Sequence, residues 1–200
     1  MAYKRAFDDM FIKSAVYIVA DVGIENTRTK DIASRTGFTE ATMYRAFPTK
    51  EILLQEAFLY IDKQISDIAT QSDYMLHPDK TPFDLAIYAI WHKIYRYLIE
   101  HPEETLFLIR YRYSSLYTDE VRKRREAYNG SMDKVYAAFE RELGKTPGMS
   151  WQLLINNLFE VTLCFAEKII TGRLEDTAET EDGIWTIAMS PIEDLKKIAG

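Results

Sequence analysis

Cysteine is all but absent from this 200-residue chain, where Cys164 stands alone inside an apolar run. One thiol excludes an internal disulfide and a thiolate metal cluster, and it agrees with a reducing, cytoplasmic setting. Glycine and proline are scarce too, at 8 and 6 residues, which leaves room for long uninterrupted elements. A hydrophobic content of 47% with 28% charged residues is that of an ordered globular protein and argues against disorder. The chain also lacks a long apolar run at its start. Met1-Ala2-Tyr3-Lys4-Arg5 leads into alternating charged and apolar residues, so neither a signal peptide nor a membrane partner is expected.

Catalytic groups are thin on the ground. His77, His92 and His101 are scattered, Cys164 has no base near it in sequence, and neither a glycine-rich phosphate loop nor a His-x-x-x-His pair occurs. No enzyme, metal site or cofactor is expected from this inventory.

The net charge of −6 argues at first against a nucleic-acid partner. It hides a partition, because residues 1–50 hold eight Lys or Arg against six Asp or Glu, a net of +2 that leaves −8 for the rest. A mildly basic head on an acidic body approaches phosphates by one face, through an attraction that is local and screened by salt.

Helical periodicity runs throughout, and no stretch shows sustained strand-type alternation, so the chain reads as all-α. The first helix spans about 3–22, with Phe7, Phe11, Ala15, Ile18 and Val22 on its apolar stripe and Gly23 ending it. Short helices follow at about 28–36, capped by Thr27 or Thr29 and closed by Gly37, and at about 40–47, capped by Thr39 and stopped by Pro48. A long helix then covers about 49–71, before a turn-rich break at His77-Pro78-Asp79-Lys80-Thr81-Pro82. Further helices read at about 83–100, 103–117, 119–143 and 149–172. The acidic stretch Glu175–Asp182 reads as a solvated loop, and a last helix over 183–199 is interrupted at Ser190-Pro191, where a capping box restarts it.

Residues 29–47 carry the most informative pattern. Ile32, Phe38, Met43 and Phe47 are spaced to fill a small core against the first helix. Ala33 is small where a second helix passes closely, and Gly37 can take the positive φ of a three-to-four-residue turn. That is a helix-turn-helix. Its second helix exposes Thr39, Glu40, Ala41, Thr42, Tyr44 and Arg45, since Met43 and Phe47 take the inward positions. Short side chains at its start let a helix approach a major-groove floor, and Arg45 can donate to a guanine edge or a phosphate. Tyr44 and Lys50 suit phosphates, while Glu40 would repel them but can accept from a cytosine amino group.

Asp31-Ile32-Ala33, Gly37-Phe38-Thr39 and Met43-Tyr44-Arg45-Ala46-Phe47-Pro48-Thr49-Lys50-Glu51 together resemble the DNA-binding head of the tetracycline-repressor (TetR/AcrR) family. The likeness covers roughly residues 5–60. It implies a helix-turn-helix DNA-binding domain at 1–48 and a helical ligand-binding and dimerisation domain at 49–200. By resemblance, Thr39, Ala41, Thr42, Tyr44, Arg45 and Lys50 fall on DNA-contacting positions, and Arg28 falls near a phosphate contact. Thr29 departs from the family where an apolar residue is usual, Thr42 varies a position where a small residue is common, and Ala46 replaces the usual aromatic before Phe47.

The body is rich in aromatics. Tyr88, Trp91, His92, Tyr95, Phe107, Tyr111, Tyr128 and Phe159 are expected to line a pocket for a mainly apolar or aromatic effector, since buried tyrosine hydroxyls need polar partners. Trp151, Leu154, Leu158, Val161, Phe165 and Trp185 stripe two helices that the resemblance would pair into a four-helix homodimer interface. The expectation is thus a repressor that leaves double-stranded operator DNA when a small molecule binds. The rival readings are a helical small-molecule-binding enzyme and a protein-interaction module without DNA binding.

Overall fold

The computed structural model describes residues 2–77, 80–128, 132–145 and 149–199. Among them the regular elements are all helices: α1 (Ala2–Val22), α2 (Thr29–Thr36), α3 (Glu40–Ala46), α4 (Lys50–Thr70), α5 (Asp73–Leu76), α6 (Phe83–Glu100), α7 (Pro102–Arg112), α8 (Asp119–Tyr128), α9 (Met132–Leu143), α10 (Trp151–Ile170) and α11 (Ala178–Ala199). The all-α class is therefore established. No helix among the described residues is long and apolar enough to cross a membrane.

Two compact units form, one of Met1–Gln64 with His101–Tyr128 and the other of Ile65–Glu100 with Asn129–Gly200. Packing thus groups the chain differently from the division at residue 48, which concerns roles. The physical reason lies in α1, which α2 and α7 both cover. Its buried apolar residues are Phe11, Ile12, Ala15, Val16, Val19 and Ala20, and Val22 is exposed. The single stripe through Ile18 and Val22 assumed one partner, whereas two partners widen and rotate the buried face.

In the first unit, Leu53, Leu54, Ala57, Phe58 and Ile61 of α4 are buried, as are Phe107, Leu108 and Tyr111 of α7. The Phe58 and Tyr111 rings stack with centroids 4.8 Å apart. Burial pushes the Tyr111 phenol up to about 12, and its hydroxyl donates to the Leu116 carbonyl at 3.1 Å. That bond belongs to a turn after Arg112, where Ser114 Oγ donates to the Tyr111 carbonyl at 2.8 Å and α7 stops short of the expected residue 117. Arg110 of α7 donates to the Val19 carbonyl near the end of α1. Arg125 Nε reaches both oxygens of the buried Asp62, at 2.9 and 2.8 Å.

In the second unit, α6 is buried on Ala86, Ile87, Ile90, Trp91, Tyr95 and Leu98, the two-faced pattern of a central helix. Ile87 and Ile90 pack with Val135 and Phe139 of α9, Trp151 and Leu154 of α10, and Met189 and Ile192 of α11. Trp91 stacks on Tyr95 and donates its indole N–H to Thr162 Oγ1 at 2.9 Å.

Two expectations are corrected at the C-terminal end. The segment 175–182 is no simple loop, because α11 begins at Ala178 and Thr177 Oγ1 accepts from the Thr180 N–H at 3.1 Å. A threonine cap followed by Glu179 and Glu181 suits the positive end of a helix dipole, so the acidic run marks a start. Nor does Pro191 interrupt α11, which contains it. Proline removes the N–H that would meet the Ile187 carbonyl, and Ser190 Oγ donates to that same carbonyl at 2.9 Å. The single helix expected over 119–143 appears as α8 and α9, with residues 129–131 outside the described set. Pro78 and Asp79 of the expected break also lie outside it.

Candidate nucleic-acid interface

The head is built from short pieces that hold one another. Ile32, Ala33, Met43 and Phe47 are buried as expected, and Ser14 Oγ of α1 donates to the Ile32 carbonyl at 2.8 Å. Gly37 takes φ +76° at the end of α2, the left-handed conformation that the turn requires. Phe38 departs from expectation. It is 39% exposed and meets Phe7 edge-on, with centroids 5.0 Å apart, so it covers the core edge.

Thr39 caps α3, accepting from the Thr42 N–H at 3.3 Å, and the two hydroxyl oxygens lie 2.9 Å apart. The cap expected for α2 is not made by either threonine. Arg28 occupies that position without a side-chain bond, while Thr27 Oγ1 donates back to the Gly23 carbonyl at 2.7 Å and Thr29 Oγ1 donates to the Glu40 carboxylate. Both hydroxyls donate to oxygens outside α2.

Burial divides α3 cleanly. Met43 is its one buried residue, whereas Ala41, Tyr44 and Arg45 are exposed, Tyr44 at 44%, and Glu40, Thr42 and Ala46 are half-buried. Thr39 and Arg28 beside it are exposed as well. An open cleft of about 560 Å³ lies against this face, lined by Thr27, Arg28, Thr29, Lys30, Glu40, Tyr44 and Pro48–Glu51. Lys50 is half-buried there, its Nζ donating to the Thr27 carbonyl at 3.2 Å. An ammonium has three donors, so this bond ties α4 to the loop before α2 and leaves two for an anion. Sequence reasoning overlooked Thr29 and Lys30 as cleft residues. The signal for Thr29 was its polarity at a position where the resemblance sets an apolar side chain.

The aromatic residues expected around an effector are distributed over both units. Phe107 and Tyr111 are buried in the first unit beside Phe58. In the second, Trp91 and Tyr95 are buried and Tyr88, His92 and Phe159 are half-buried. Glu181 joins this set, 3.2 Å from His92 Nε2 and accepting from the Tyr88 hydroxyl at 3.4 Å. Tyr95 donates to Asp176 at 2.7 Å, and Arg96 donates to the other Asp176 oxygen at 2.9 Å. The Tyr95 bond, aided by Arg96, holds the Asp176 carboxyl below the ordinary aspartate range, while burial pushes the Tyr95 phenol up. The Tyr128 side chain lies outside the described residues.

Of the residues expected between subunits, Trp151 and Leu154 are buried within the unit, where Trp151 packs on Phe139 and donates to the Gly144 carbonyl at 2.9 Å. Leu158, Val161, Phe165 and Trp185 are half-buried. Among the described side chains of α10 and α11, the large apolar ones left in solvent are Leu153, 56% exposed, and Ile187, 51% exposed. Leu153 falls off the stripe read from the sequence.

Comparison with known proteins converges on one family. Residues 11–57 match the model of bacterial regulatory proteins of the tetR family. None of the curated proteins matches the sequence. Among solved structures, a TetR-family transcription regulator from Marinobacter aquaeolei VT8 is 23% identical with a TM-score of 0.78, over 95% of this chain and 97% of that one. A TetR-family transcriptional regulator from Haemophilus influenzae is 15% identical with a TM-score of 0.70, over 94% and 97%. The fatty acid degradation regulator FadR from Bacillus halodurans is 16% identical, also with a TM-score of 0.70, over 90% and 94%. The head, residues 11–57, thus matches the tetR family of bacterial regulatory proteins, and the chain shares the fold of these regulators along nearly its whole length.

Proposed function

We propose that the protein is a ligand-responsive, sequence-specific transcriptional regulator that binds operator DNA as a homodimer, with α3 of each subunit in a major groove. The observation that carries this reading is the division of α3, which buries Met43 and leaves Ala41, Tyr44 and Arg45 exposed beside a cleft that holds Arg28, Lys30 and Lys50. In this reading Ala41 and Thr42 let the helix approach the groove floor, and Arg45 donates to a guanine edge. Thr39, Tyr44, Arg28 and Lys50 meet phosphates, which sets position without reading sequence. One seven-residue recognition helix holds little surface, so two copies related by a twofold axis are needed. The exposed Leu153 and Ile187 nominate α10 and α11, the helices of the expected interface, as the surface where they meet.

The regulatory half of the proposal is repression relieved by a small apolar or aromatic effector. Tyr88 and His92 supply half-buried aromatic surface with Glu181 at its edge, beside the buried Trp91 and Tyr95. α4 runs from Lys50 to Thr70 without a break, so a change of tilt would move the recognition helices. A ligand drives that change only by preferring one arrangement over the other.

The test is an electrophoretic shift on a fragment of the protein's own promoter region, repeated across a salt series. A steep fall in affinity with rising salt and a two-fold symmetric footprint are expected. Absence of any shift, or a salt-independent one, would overturn DNA binding. An effector that binds tightly yet leaves operator affinity unchanged would overturn the regulatory half alone.

A further inference from the structure

The acidic residue at the front of α3 is the feature that DNA binding explains least. Glu40 is the first residue of that helix and lines the same cleft as Arg28, Lys30 and Lys50, where a free carboxylate would repel phosphate. It is not free, because Thr29 Oγ1, on the first residue of α2, donates to it. The Tyr44 hydroxyl in turn lies 3.4 Å from Thr29 Oγ1 as donor. A threonine hydroxyl has one proton and two lone pairs, so it can serve both contacts at once, giving a relay from Tyr44 through Thr29 to Glu40. Glu40 and Tyr44 are four residues apart and so share one face of α3, with Thr29 closing the pair from the neighbouring helix.

Resting on the DNA-binding reading above, we infer that Glu40 is a positioning residue that acts on DNA through Thr29 and Tyr44 and does not itself read a base. The clasp sets the direction of the Tyr44 ring before DNA arrives, when the one phenolic proton turns from Thr29 to a phosphate, and it occupies the carboxylate that would otherwise face phosphate. It also accounts for Thr29: a polar residue is needed there to bridge two others.

The test separates charge from positioning. E40Q and E40A both remove the charge, but only E40Q keeps an oxygen that Thr29 can donate to. Affinity for the promoter fragment is measured at one salt concentration for both variants, each alone and combined with T29V. With Thr29 intact, E40A is expected to bind about 5-fold more weakly than E40Q, the worth of one net hydrogen bond. With T29V that ratio falls to about one, and T29S restores it. A ratio unchanged by T29V overturns the inference. So does a loss of discrimination confined to a single base pair in E40A and absent in T29V, which would make Glu40 a base reader. A second readout needs no DNA: in protein labelled at the tyrosine ζ carbons, the Tyr44 signal, assigned with Y44F, should shift together in T29V and E40A and stay near its place in E40Q. If the unsubstituted protein shifts no promoter fragment, the regulator reading fails and this signal alone decides the clasp. Indifference of the Tyr44 signal to both T29V and E40A would end it.

Discussion

The two units hold themselves together by different means. In the first, short helices are tied by polar bonds that cross between elements: Ser14 to the Ile32 carbonyl, Lys50 to the Thr27 carbonyl, Arg110 to the Val19 carbonyl, and Arg125 to Asp62. In the second, large aromatic side chains packed around α6 do most of the holding, with Trp91 in contact with both Tyr95 and Trp185. The difference follows from what each helix must present. α3 buries Met43 alone among its seven residues, so apolar packing along that helix contributes little and its neighbours are fixed by caps and ties. α6 buries six of its eighteen, and its polar ties, such as Trp91 to Thr162 and Tyr95 to Asp176, come from side chains that this packing already holds. An exposed helix face is thus kept available by moving much of the cost of order onto residues outside α3.

Four measurements would sharpen or break this contrast. Trp91→Ala is expected to have the largest effect, a loss of about 4 kcal/mol in urea unfolding followed by circular dichroism, because it opens a cavity and removes the partner of Thr162. A loss under about 1 kcal/mol would show that the aromatic cluster is replaceable packing. Asp62→Ala should follow at about 3 kcal/mol, since it leaves the Arg125 guanidinium without its carboxylate in a site where Asp62 is buried. If Asp62→Ala instead matched an ordinary surface change, the polar ties of the first unit would be ornaments of the fold. Arg45→Ala is expected to leave stability unaltered and to weaken operator binding about tenfold, with relaxed preference at one base pair. A uniform loss across all sequences would reassign Arg45 to phosphate. The smallest effect is in the acid range. Asp176 has its pKa held below the aspartate value of 3.8, by Tyr95 first and then Arg96, so its contribution is present above that value and fades as pH falls through the lowered one. Asp176→Asn should therefore cost stability near neutrality, and the gap to the unsubstituted protein should close on acidification. A gap that stays constant down to acid unfolding would mean that the carboxylate charge contributes nothing to the second unit.

Legibility in the sequence differed between these same regions. Gly37, Thr39, Met43 and Pro48 act within a few residues of their own position, through φ, a cap, a buried contact and a helix stop. The helix-turn-helix could therefore be read with its exposed Tyr44 and Arg45. The ends of α6 were equally readable. The Thr29–Glu40 clasp was not, since it joins residues eleven apart on separate helices, and neither residue announces the other. For the same reason Trp151 and Leu154 were expected between subunits while the structure buries them within the unit, and Leu153 went unremarked while it is exposed.

What the amino-acid order determined on its own was local: helix type, most helix ends, and the turn that makes the head, all governed by interactions of short range along the chain. Which face of α1 is buried, why residues 102–128 pack with the head, and which oxygen each threonine hydroxyl finds were decided only when distant segments met. An apolar stripe states that a helix has a partner and leaves open how many it has and from which side they come.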